Sequence, residues 1–522
     1  MKNIILILSF FLGTASIHAQ TMQITKNVFV GKSRSGSQSI AANVYSFNRE
    51  KPFFQIDSIH NYMFILTTKL SPSGKYLTNN GYLYMLDLNN SKELWNKKIN
   101  FLKEGIKYCS KGILFSKRSK TSLLDLKNGE TRWTEKFTAR ETYAEKGLVL
   151  AYQISARKSI ANTLKGVDIE TGNLLWETKL DYKNYWDEVR ILNDSCLLIV
   201  SDGLHAMNVY NGSGWDYQAK ISSKDYKAAV ARSAIGVAAA IFIGFGFIDT
   251  GPTLTTNLKS NILTKDSAIY MANHETIAKL DHQGQIQWET KLPEPGSASF
   301  IHLQDDSLFM LNFGTADRNE RKVSVSCPYL ACFHKNTGTL LFFNQLAKNG
   351  YRVIDYIKTY NGTYLMLEDG VCQVGENNRN YAFKPWNTES NGKLAGFISY
   401  AYLYDSATGS FRETDCSKEG TRIVFNEERD LFEVNENFEI LCKPSLYDLL
   451  TRRGKWKNIT LMSDNYSKVY FFDEQRNILA ELDIAPRRVK VYKDKLFIIS
   501  TEEKLYEIDL NQLRNNYFLN TK

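Results

Sequence analysis

The chain is poor in proline and has no long basic run, and both absences narrow its class. Only 9 of its 522 residues are proline, so long disordered linkers are not expected. No block of five or more basic residues occurs, and a formal net charge of +9 is mild for this length. Nucleic-acid binding is therefore not indicated. The length fits either several ordinary domains or one large repetitive domain.

The familiar catalytic signatures are missing as well. The sequence contains no G-x-S-x-G elbow, no H-E-x-x-H motif, no P-loop and no C-x-x-C-H haem attachment motif. Its histidines are scattered, and acidic pairs such as Asp305 and Asp306 fit solvated turns. We therefore assign no catalytic, cofactor-binding or metal-binding residue, and we expect no cofactor. A carboxylate pair brought together by the fold stays open as an alternative.

The seven cysteines form no dense framework and their number is odd. Cys327 and Cys332 are the closest pair, with four residues between them. A metal site would need tighter spacing and nearby histidines. Most of these cysteines are interpreted as buried strand thiols, with one or two disulfides as the alternative.

The first 19 residues have the pattern of a secretory signal peptide. Lys2 supplies the positive start, and the apolar stretch from Ile4 to Leu12 is too short to span a membrane. Ala19 offers a small residue for cleavage, and an uncleaved anchor is the alternative. No cysteine lies nearby, so a bacterial lipid anchor is not indicated. We expect an exported chain whose residues 20–522 form a single domain.

What the chain does contain is a repeat, and repeats decide the fold. Each copy has an apolar strand, an aspartate, a short turn and a second strand that begins near a tryptophan. The pairs are Asp87 and Trp95, Asp125 and Trp133, Asp168 and Trp176, and Asp281 and Trp288. A looser copy places Asn208 before Trp215, and later copies lack the tryptophan. The first copies are spaced by 38, 43 and 40 residues, which is the length of a four-stranded propeller blade.

The physical role of each residue type in the repeat is clear. Aspartate and asparagine bond to their own backbone in turns, and glycine adopts positive φ at little cost. The tryptophan brings a large apolar area together with one N–H group that needs an acceptor. One such residue per repeat suits a slot between neighbouring blades.

The pattern LDxxTGxxLW resembles the tryptophan-docking repeat of pyrroloquinoline-quinone (PQQ) type β-propellers. That family includes quinoprotein alcohol dehydrogenases and the propeller lipoprotein of the outer-membrane protein assembly machinery. The resemblance implies an all-β propeller with eight four-stranded blades, or seven as the alternative. Nine or ten candidate units can be counted, more than the usual ring, so some are expected to be half-blades or a second sheet. The segment from Gln23 to Ile59 is expected to supply the strand that closes the ring.

The same resemblance shows what an enzyme of this family would need. Its quinoproteins hold PQQ with a calcium ion, a catalytic aspartate and, typically, adjacent cysteines. This chain has no Cys-Cys pair, and turn geometry already explains its repeat aspartates. A PQQ-dependent oxidoreductase or another enzyme with its site in the funnel is kept as an alternative function. A sugar- or peptide-binding module is the third function considered.

One segment is unlike the rest of the chain. Residues 228–248 are almost wholly apolar and lie in an insertion, 221–258, between two blades. Its uninterrupted part, Ala234–Ile248, would reach about 22 Å as a helix, short of the ~30 Å hydrocarbon core of a bilayer. Packing against its own propeller, docking to a partner or the membrane interface, and spanning a membrane all remain open. The residues proposed to contact a partner are Ile241, Phe242, Phe245 and Phe247.

Taken together, the sequence favours an exported, non-enzymatic propeller that acts as a protein-interaction scaffold in the bacterial cell envelope. The expected location is periplasmic or outer-membrane-associated, with secretion as the alternative. An envelope protein is the expected partner, and membrane-interface contact through 228–248 is a further possibility.

Overall fold

The computed structural model consists almost entirely of short antiparallel strands. It describes residues 22–513 except 35–37, 118, 153–162, 180–187, 202, 220–222, 226–252, 319–320, 347–351, 360–361, 376–380, 406–407, 409, 416–417, 419 and 465. The expected signal peptide and the four partner-contact candidates from Ile241 to Phe247 therefore lie outside the described residues.

The strands are numbered in chain order. Strands β1 to β16 are Met22–Ser33, Ser39–Phe47, Glu50–Asp57, Tyr62–Leu70, Leu77–Asp87, Lys92–Asn100, Glu104–Cys109, Gly112–Lys117, Lys120–Leu124, Thr131–Glu135, Thr138–Tyr143, Leu148–Tyr152, Thr163–Asp168, Leu174–Lys179, Glu188–Asn193 and Cys196–Val200. Strands β17 to β32 are Gly203–Asn208, Gly214–Gln218, Ser223–Asp225, Thr253–Thr256, Leu263–Lys265, Ala268–Ala272, Thr276–Asp281, Ile286–Lys291, Ser299–Gln304, Ser307–Asn312, Thr315–Arg318, Arg321–Ser324, Tyr329–His334, Leu340–Gln345, Asp355–Thr359 and Gly362–Leu367. Strands β33 to β47 are Gly370–Val374, Tyr381–Pro385, Leu394–Ile398, Tyr400–Asp405, Ser410–Asp415, Arg422–Asn426, Leu431–Val434, Ile440–Cys442, Leu449–Trp456, Ile459–Ser463, Val469–Phe472, Ile478–Leu482, Pro486–Tyr492, Lys495–Ser500 and Leu505–Asp509. The helical turns are α1 (Thr388–Asn391) and the 3-10 turns Ala144–Lys146, Leu446–Asp448 and Leu510–Leu513.

The inner strands of each sheet are apolar on both faces, because a neighbouring sheet covers each side. Residues Leu197–Val200 of β16 are fully buried, whereas the fourth strands, such as β14, alternate between exposed and buried side chains. A near-continuous apolar run is typical of strands packed between layers. The all-β propeller predicted from the repeats is confirmed.

The chain divides into two compact units. Unit 2 (Leu102–Leu450) contains seven four-stranded meanders in chain order: β7–β10, β11–β14, β15–β18, β21–β24, β25-β26-β29-β30, β31–β34 and β35-β38-β39-β40. Each meander shares a buried apolar cluster with the next. A hairpin formed by β36 and β37 is added beside the last of them.

Unit 1 combines both ends of the chain, Met1–Phe101 and Thr451–Lys522. Its three sheets are β3–β6, β41–β44, and the C-terminal strands β45–β47 completed by β2 from the N-terminal region. Strand β1 bridges the last two sheets, because it pairs with β2 on one side and with β44 on the other. Strand β2, from the segment Gln23 to Ile59 that was expected to close the ring, supplies the fourth strand of the final sheet.

The described residues hold ten four-stranded sheets of the blade type, two more than the eight blades expected. The difference arises in the late repeats, where the tryptophan is absent but the apolar strands persist. Val469–Phe472 and Leu431–Val434, for example, are buried inner strands of complete sheets. Half-blades or a second sheet were expected because nine or ten units exceed the usual ring, whereas these late units form complete sheets, since backbone pairing needs only the apolar strands.

Removal of β1 and β2 is expected to destabilise unit 1 strongly. A chain that begins at Arg49 loses buried Ile40, Val44 and Tyr45 and leaves β47 with an unpaired edge. At ~1.5–3 kcal/mol for each large buried side chain, the loss exceeds about 5 kcal/mol. Thermal unfolding followed by circular dichroism measures it. A chain that begins at Ser39 keeps β2 and serves as control; equal melting temperatures for the two would contradict the assigned role of β2.

Candidate functional site

Four tryptophans of unit 2 connect neighbouring sheets through one shared contact. Each lies on the fourth strand of its sheet, and its indole Nε1 donates a hydrogen bond to a backbone carbonyl in the turn between the third and fourth strands of the next sheet. The pairs are Trp133 to Ile169 (3.1 Å), Trp176 to Val209 (2.7 Å), Trp215 to His282 (2.9 Å) and Trp288 to Lys335 (3.0 Å). These four contacts are called the tryptophan junctions.

The same turns place a glycine directly against each indole ring. A Cβ atom on Gly172, Gly212, Gly284 or Gly338 would lie 2.8, 2.7, 2.3 or 2.5 Å from ring atoms of Trp133, Trp176, Trp215 or Trp288 respectively. All four glycines also have φ between 70° and 80°. Glycine is therefore required at each junction for two reasons: the positive φ of the backbone and the close approach of the indole ring.

The repeat aspartates shape these turns. Their carboxylates accept hydrogen bonds from backbone N–H groups two or three residues later in the chain. Asp87 accepts from Asn89 (2.9 Å), Asp125 from Lys127 (2.8 Å), Asp168 from Thr171 (2.7 Å) and Asp281 from Gln283 (2.9 Å). Burial acts to raise the pKa of Asp168, but hydrogen bonds from Thr171 and Glu170 outweigh it, so the pKa is lowered. These aspartates are thus bound within their own turns. Trp95, on β6 of unit 1, is half-buried.

A different set of residues occupies the equivalent position in unit 1. In the sheet β3–β6, Ser91 (φ 54°) takes the place of the turn glycine, and Leu88 carries the carbonyl that a tryptophan would use. That carbonyl accepts a hydrogen bond from Lys495 Nζ at 2.8 Å. Glu507 accepts hydrogen bonds from Ser91 Oγ (2.8 Å), Lys495 Nζ (2.5 Å) and Tyr45 Oη (2.5 Å). Tyr45, Ser91, Lys495 and Glu507 are called the polar junction.

The polar junction holds a carboxylate that is almost completely buried. Glu507 is 4% exposed, and burial acts to raise its pKa. The hydrogen bonds from Lys495, Tyr45 and Ser91, together with the charge of Lys495, outweigh burial and hold the pKa below its usual value. Burial and the neighbouring Glu507 raise the pKa of Tyr45. Sequence reasoning missed this cluster, because its members lie up to 462 residues apart and match no motif.

The insertion between blades is anchored in an accessory sheet of unit 2. Strands β19 and β20, on either side of the apolar segment, pair with each other so that Asp225 lies opposite Thr253. Strand β20 pairs in turn with β27, and β27 with β28; both lie in the connection between β26 and β29. The Arg318 guanidinium donates to Thr255 Oγ1 at 3.2 Å. Both ends of the insertion are therefore fixed side by side.

Two clefts lie between neighbouring sheets of unit 2. One, of about 280 Å³, is lined by polar side chains that include Lys265, Lys279, Asp266 and Tyr270. In the other, an aromatic cleft, burial and the charge of Lys358 lower the pKa of His302 to about 4. At neutral pH this histidine is therefore an uncharged part of the wall.

The described ranges contain no group of three or more His, Cys, Asp or Glu residues arranged to hold a metal ion. Within the same ranges, no helix has the length and apolar character needed to cross a membrane. Cys109 and Cys372 are buried free thiols, and burial raises the pKa of both.

The tryptophan junctions predict a graded series of stability losses. Trp176→Ala is expected to cost ~3–5 kcal/mol, since it removes a buried ring, and Trp176→Phe about 1–2 kcal/mol through the lost hydrogen bond. Gly212→Ala adds steric overlap with Trp176 to the strain of its φ of 70°. Gly147→Ala is the matched control, with φ of 63° and nothing within 4 Å of the new Cβ. Urea unfolding gives the free energy of unfolding of all four variants. Equal losses of stability in Gly212→Ala and Gly147→Ala would contradict the role of the Trp176 ring.

The polar junction predicts a dependence of stability on pH. The folded-state pKa of Glu507 is lowered, so its contribution is present above the unfolded pKa of ~4.3 and is lost as pH falls through the folded value. Glu507→Gln is expected to cost about 1–3 kcal/mol at pH 7 and to flatten the loss of stability between pH 5 and pH 2.

The double change Lys495→Met with Glu507→Leu is the control for that prediction. It removes both charges together and should recover part of the stability, since apolar replacements of buried ion pairs are tolerated. Denaturant titrations across the pH range give the comparison. A Glu507→Gln curve parallel to that of the wild type at every pH would exclude the proposed titration.

The comparisons with known proteins agree with these repeats. Residues 79–218 match the family model described as outer membrane protein assembly factor BamB. No curated protein matches the chain.

Among solved structures, the chain is similar to BamB from Moraxella catarrhalis, with 13% identity and a TM-score of 0.30 over 88% of this chain and 96% of that chain. It is also similar to the computationally designed Ika8 protein, with 10% identity and a TM-score of 0.28 over 72% and 96%. A third is KlHsv2 with loop 6CD replaced by a Gly-Ser linker, with 9% identity and a TM-score of 0.26 over 83% and 97%. The resemblance to PQQ-type propeller repeats is therefore confirmed over residues 79–218.

Proposed function

We propose that this chain is an exported β-propeller that acts as a non-enzymatic protein-interaction scaffold in the bacterial cell envelope. On this proposal, residues 1–19 are a signal peptide and residues 20–522 form one domain. The PQQ-type repeats give the chain a fold of the kind that serves as an interaction scaffold. The apolar N-terminal segment and the BamB-type match at 79–218 support the proposed envelope setting.

The observation that carries the proposal is the anchoring of the apolar segment. A stretch such as Ala234–Ile248, with no charged residue, is costly to leave in water. Its flanking strands β19 and β20 are paired at Asp225 and Thr253, and β20 is joined to β27. Both flanking strands thus belong to one sheet, which on this proposal is the base of a recognition element. Within it, Ile241, Phe242, Phe245 and Phe247 supply the large apolar side chains for a partner or for the membrane interface.

The pairing of Asp225 with Thr253 allows a clean deletion of this segment. Residues 226–252 are replaced by Asn-Gly, which closes two paired strands as a tight hairpin without disturbing β19 or β20. Tagged full-length and deleted chains are purified from native envelopes, and the associated proteins are identified by mass spectrometry. An envelope protein is expected with the full chain and not with the deletion. Changing the four apolar candidates to serine should reduce its recovery at least ~10-fold.

A matched control separates loss of docking from loss of folding. The deleted chain should keep the thermal unfolding midpoint of the full chain, because the blade sheets are untouched. Equal recovery of partners by both chains would remove the insertion from the interface. A chain that emerges alone and soluble in both forms would count against the scaffold and in favour of a ligand-binding module.

The ligand-binding alternative has its own structural support. The 280 Å³ cleft is lined by Lys265, Asp266 and Lys279 of the sheet β21–β24, together with the buried Tyr270. Mixed ammonium, carboxylate and hydroxyl groups suit a sugar or a short peptide. Lys279 lies over the Tyr270 ring, 5.7 Å from its centre.

A further inference from the structure

The aromatic cleft of unit 2 lies between two consecutive sheets, β25-β26-β29-β30 and β31–β34. At one end the sheets meet ring to ring, because the ring centres of Phe300 on β25 and Tyr356 on β31 are 5.4 Å apart. Two residues further along the same strands are His302 and Lys358. Alternate residues of a strand point to the same face, so these side chains continue the two walls. The cleft therefore has an aromatic end and a polar end.

Four aliphatic side chains form the apolar part of the cleft. They come from both sheets and belong to one buried cluster: Leu311, Leu330, Leu365 and Val374. Each is at most 7% exposed. The cavity measures about 30 Å³, which is room for two or three groups of the size of a water molecule or a methyl group. Water in an apolar space finds too few hydrogen-bond partners, so an apolar group is favoured there.

The polar end carries a single positive charge. Lys358 is exposed, and within the described part of the chain its ammonium group has no ion pair or hydrogen bond. Among the described residues that line the cleft, none is acidic. Burial and the charge of Lys358 together lower the pKa of His302 to about 4, which shows that this charge reaches the interior of the cleft. An anionic group is therefore favoured beside the apolar space.

Two uncharged polar groups accompany the ammonium group. His302 is neutral at pH 7, so its ring offers one N–H donor and one acceptor. Thr363 lies directly opposite Lys358 in the pairing of β31 with β32, so its hydroxyl group is on the same face. Neither side chain is hydrogen-bonded to another described residue. A carboxylate at this end thus has an ammonium, an imidazole and a hydroxyl group as donors.

The carboxylate next to the cleft is already occupied. Asp355 accepts hydrogen bonds from the backbone N–H groups of Tyr356 and Phe397, both at 2.8 Å. It lies three residues before Lys358 on β31, so the two side chains point to opposite faces of the sheet. Asp355 therefore does not neutralise Lys358 within the cleft.

We propose that the aromatic cleft binds a short-chain aliphatic carboxylate. A tail of two or three carbons fills the space among the four aliphatic side chains, and the carboxylate group stays at the mouth against Lys358. Propionate and butyrate have these dimensions. An apolar pocket with a few convergent polar groups is typical of small-ligand sites. The inference goes beyond the scaffold function and does not depend on it.

Other anionic ligands fit the aromatic cleft less well. A long-chain fatty acid has more carbons than a cavity of about 30 Å³ accommodates. An aromatic acid needs width that the contact between Phe300 and Tyr356 removes. A sugar acid would place hydroxyl groups against Leu365 and Val374, where they find no hydrogen-bond partner, and this is costly.

The test uses the full chain labelled at its leucine and valine methyl groups. It is titrated with sodium acetate, propionate, butyrate and hexanoate, and with sodium chloride as the blank. Shifts of the methyl signals of Leu365 and Val374 in NMR spectra give the location and the dissociation constant. Affinity should rise about fourfold with each added CH₂ from acetate to butyrate and should not rise further for hexanoate. 1-Butanol, which has no charge, should bind about tenfold more weakly than butyrate.

Matched variants separate the charge from the cavity. Lys358→Met keeps the apolar stem and should weaken butyrate about tenfold while leaving 1-butanol within about twofold. Lys490→Met, at an exposed lysine of β45 in unit 1, makes the same change of charge and should bind butyrate as the wild type does. Val374→Leu adds one CH₂ to the cavity wall, so propionate should replace butyrate as the tightest ligand. If Lys358→Met does not fold, Lys358→Gln replaces it.

Several outcomes would overturn the inference. These are an affinity that keeps rising through hexanoate, tighter binding of benzoate than of butyrate, equal affinity for butyrate in Lys358→Met and the wild type, and no shift of the cleft methyl signals. Failure of the scaffold proposal would show separately, since recovery of an envelope protein depends on 226–252 and is measured without any carboxylate. Binding of butyrate with no recovered partner would leave the aromatic cleft standing alone.

Discussion

The structure depends on how each sheet is fastened to the next. Consecutive blade sheets of unit 2 share buried apolar clusters, so a sheet without neighbours would expose much of its apolar surface. The tryptophan junctions solve this with one large ring, one N–H group and one glycine. Trp176 is an example: its ring fills the space over Gly212, and its indole N–H donates a hydrogen bond to the carbonyl of Val209. The rest of each sheet needs only apolar strands of the right length.

The polar junction solves the same problem with different chemistry. Lys495 donates to the carbonyl of Leu88, the position that an indole N–H occupies elsewhere, and Glu507 compensates its charge. A buried ion pair contributes less net stability than a packed ring, because both charges lose their water. Its geometry is more demanding, however, since each partner must be correctly placed. The sheet that combines both ends of the chain is thus held by the most specific contact.

The sequence predicted the fold class well and this second junction not at all. The spacing of Asp125, Trp133 and Gly172 is local, and it encodes a turn and a docking ring within one repeat length. Lys495, Glu507 and Ser91 come together only through strand pairing across the whole chain, which no local pattern records. The expected eight blades came from the usual ring size of the family, although the repeats themselves gave nine or ten units. Trp386 and Trp456 bind Gly392 and Asp494 instead of a following repeat turn, so the late sheets are complete without the expected signature.

The pairing of β2 with β47 has a consequence for how the molecule is made. Residues 39–47 pair on one edge with the neighbouring strand β1 and on the other with residues 505–509, so the final sheet of unit 1 is incomplete until almost the entire chain has been synthesised. Contacts this distant in sequence form slowly, because a very long loop must close before they contribute. The second edge of β2 must therefore stay unpaired while the seven sheets of unit 2 assemble from local hairpins. The strand made last thus determines when the final sheet of unit 1 can be completed.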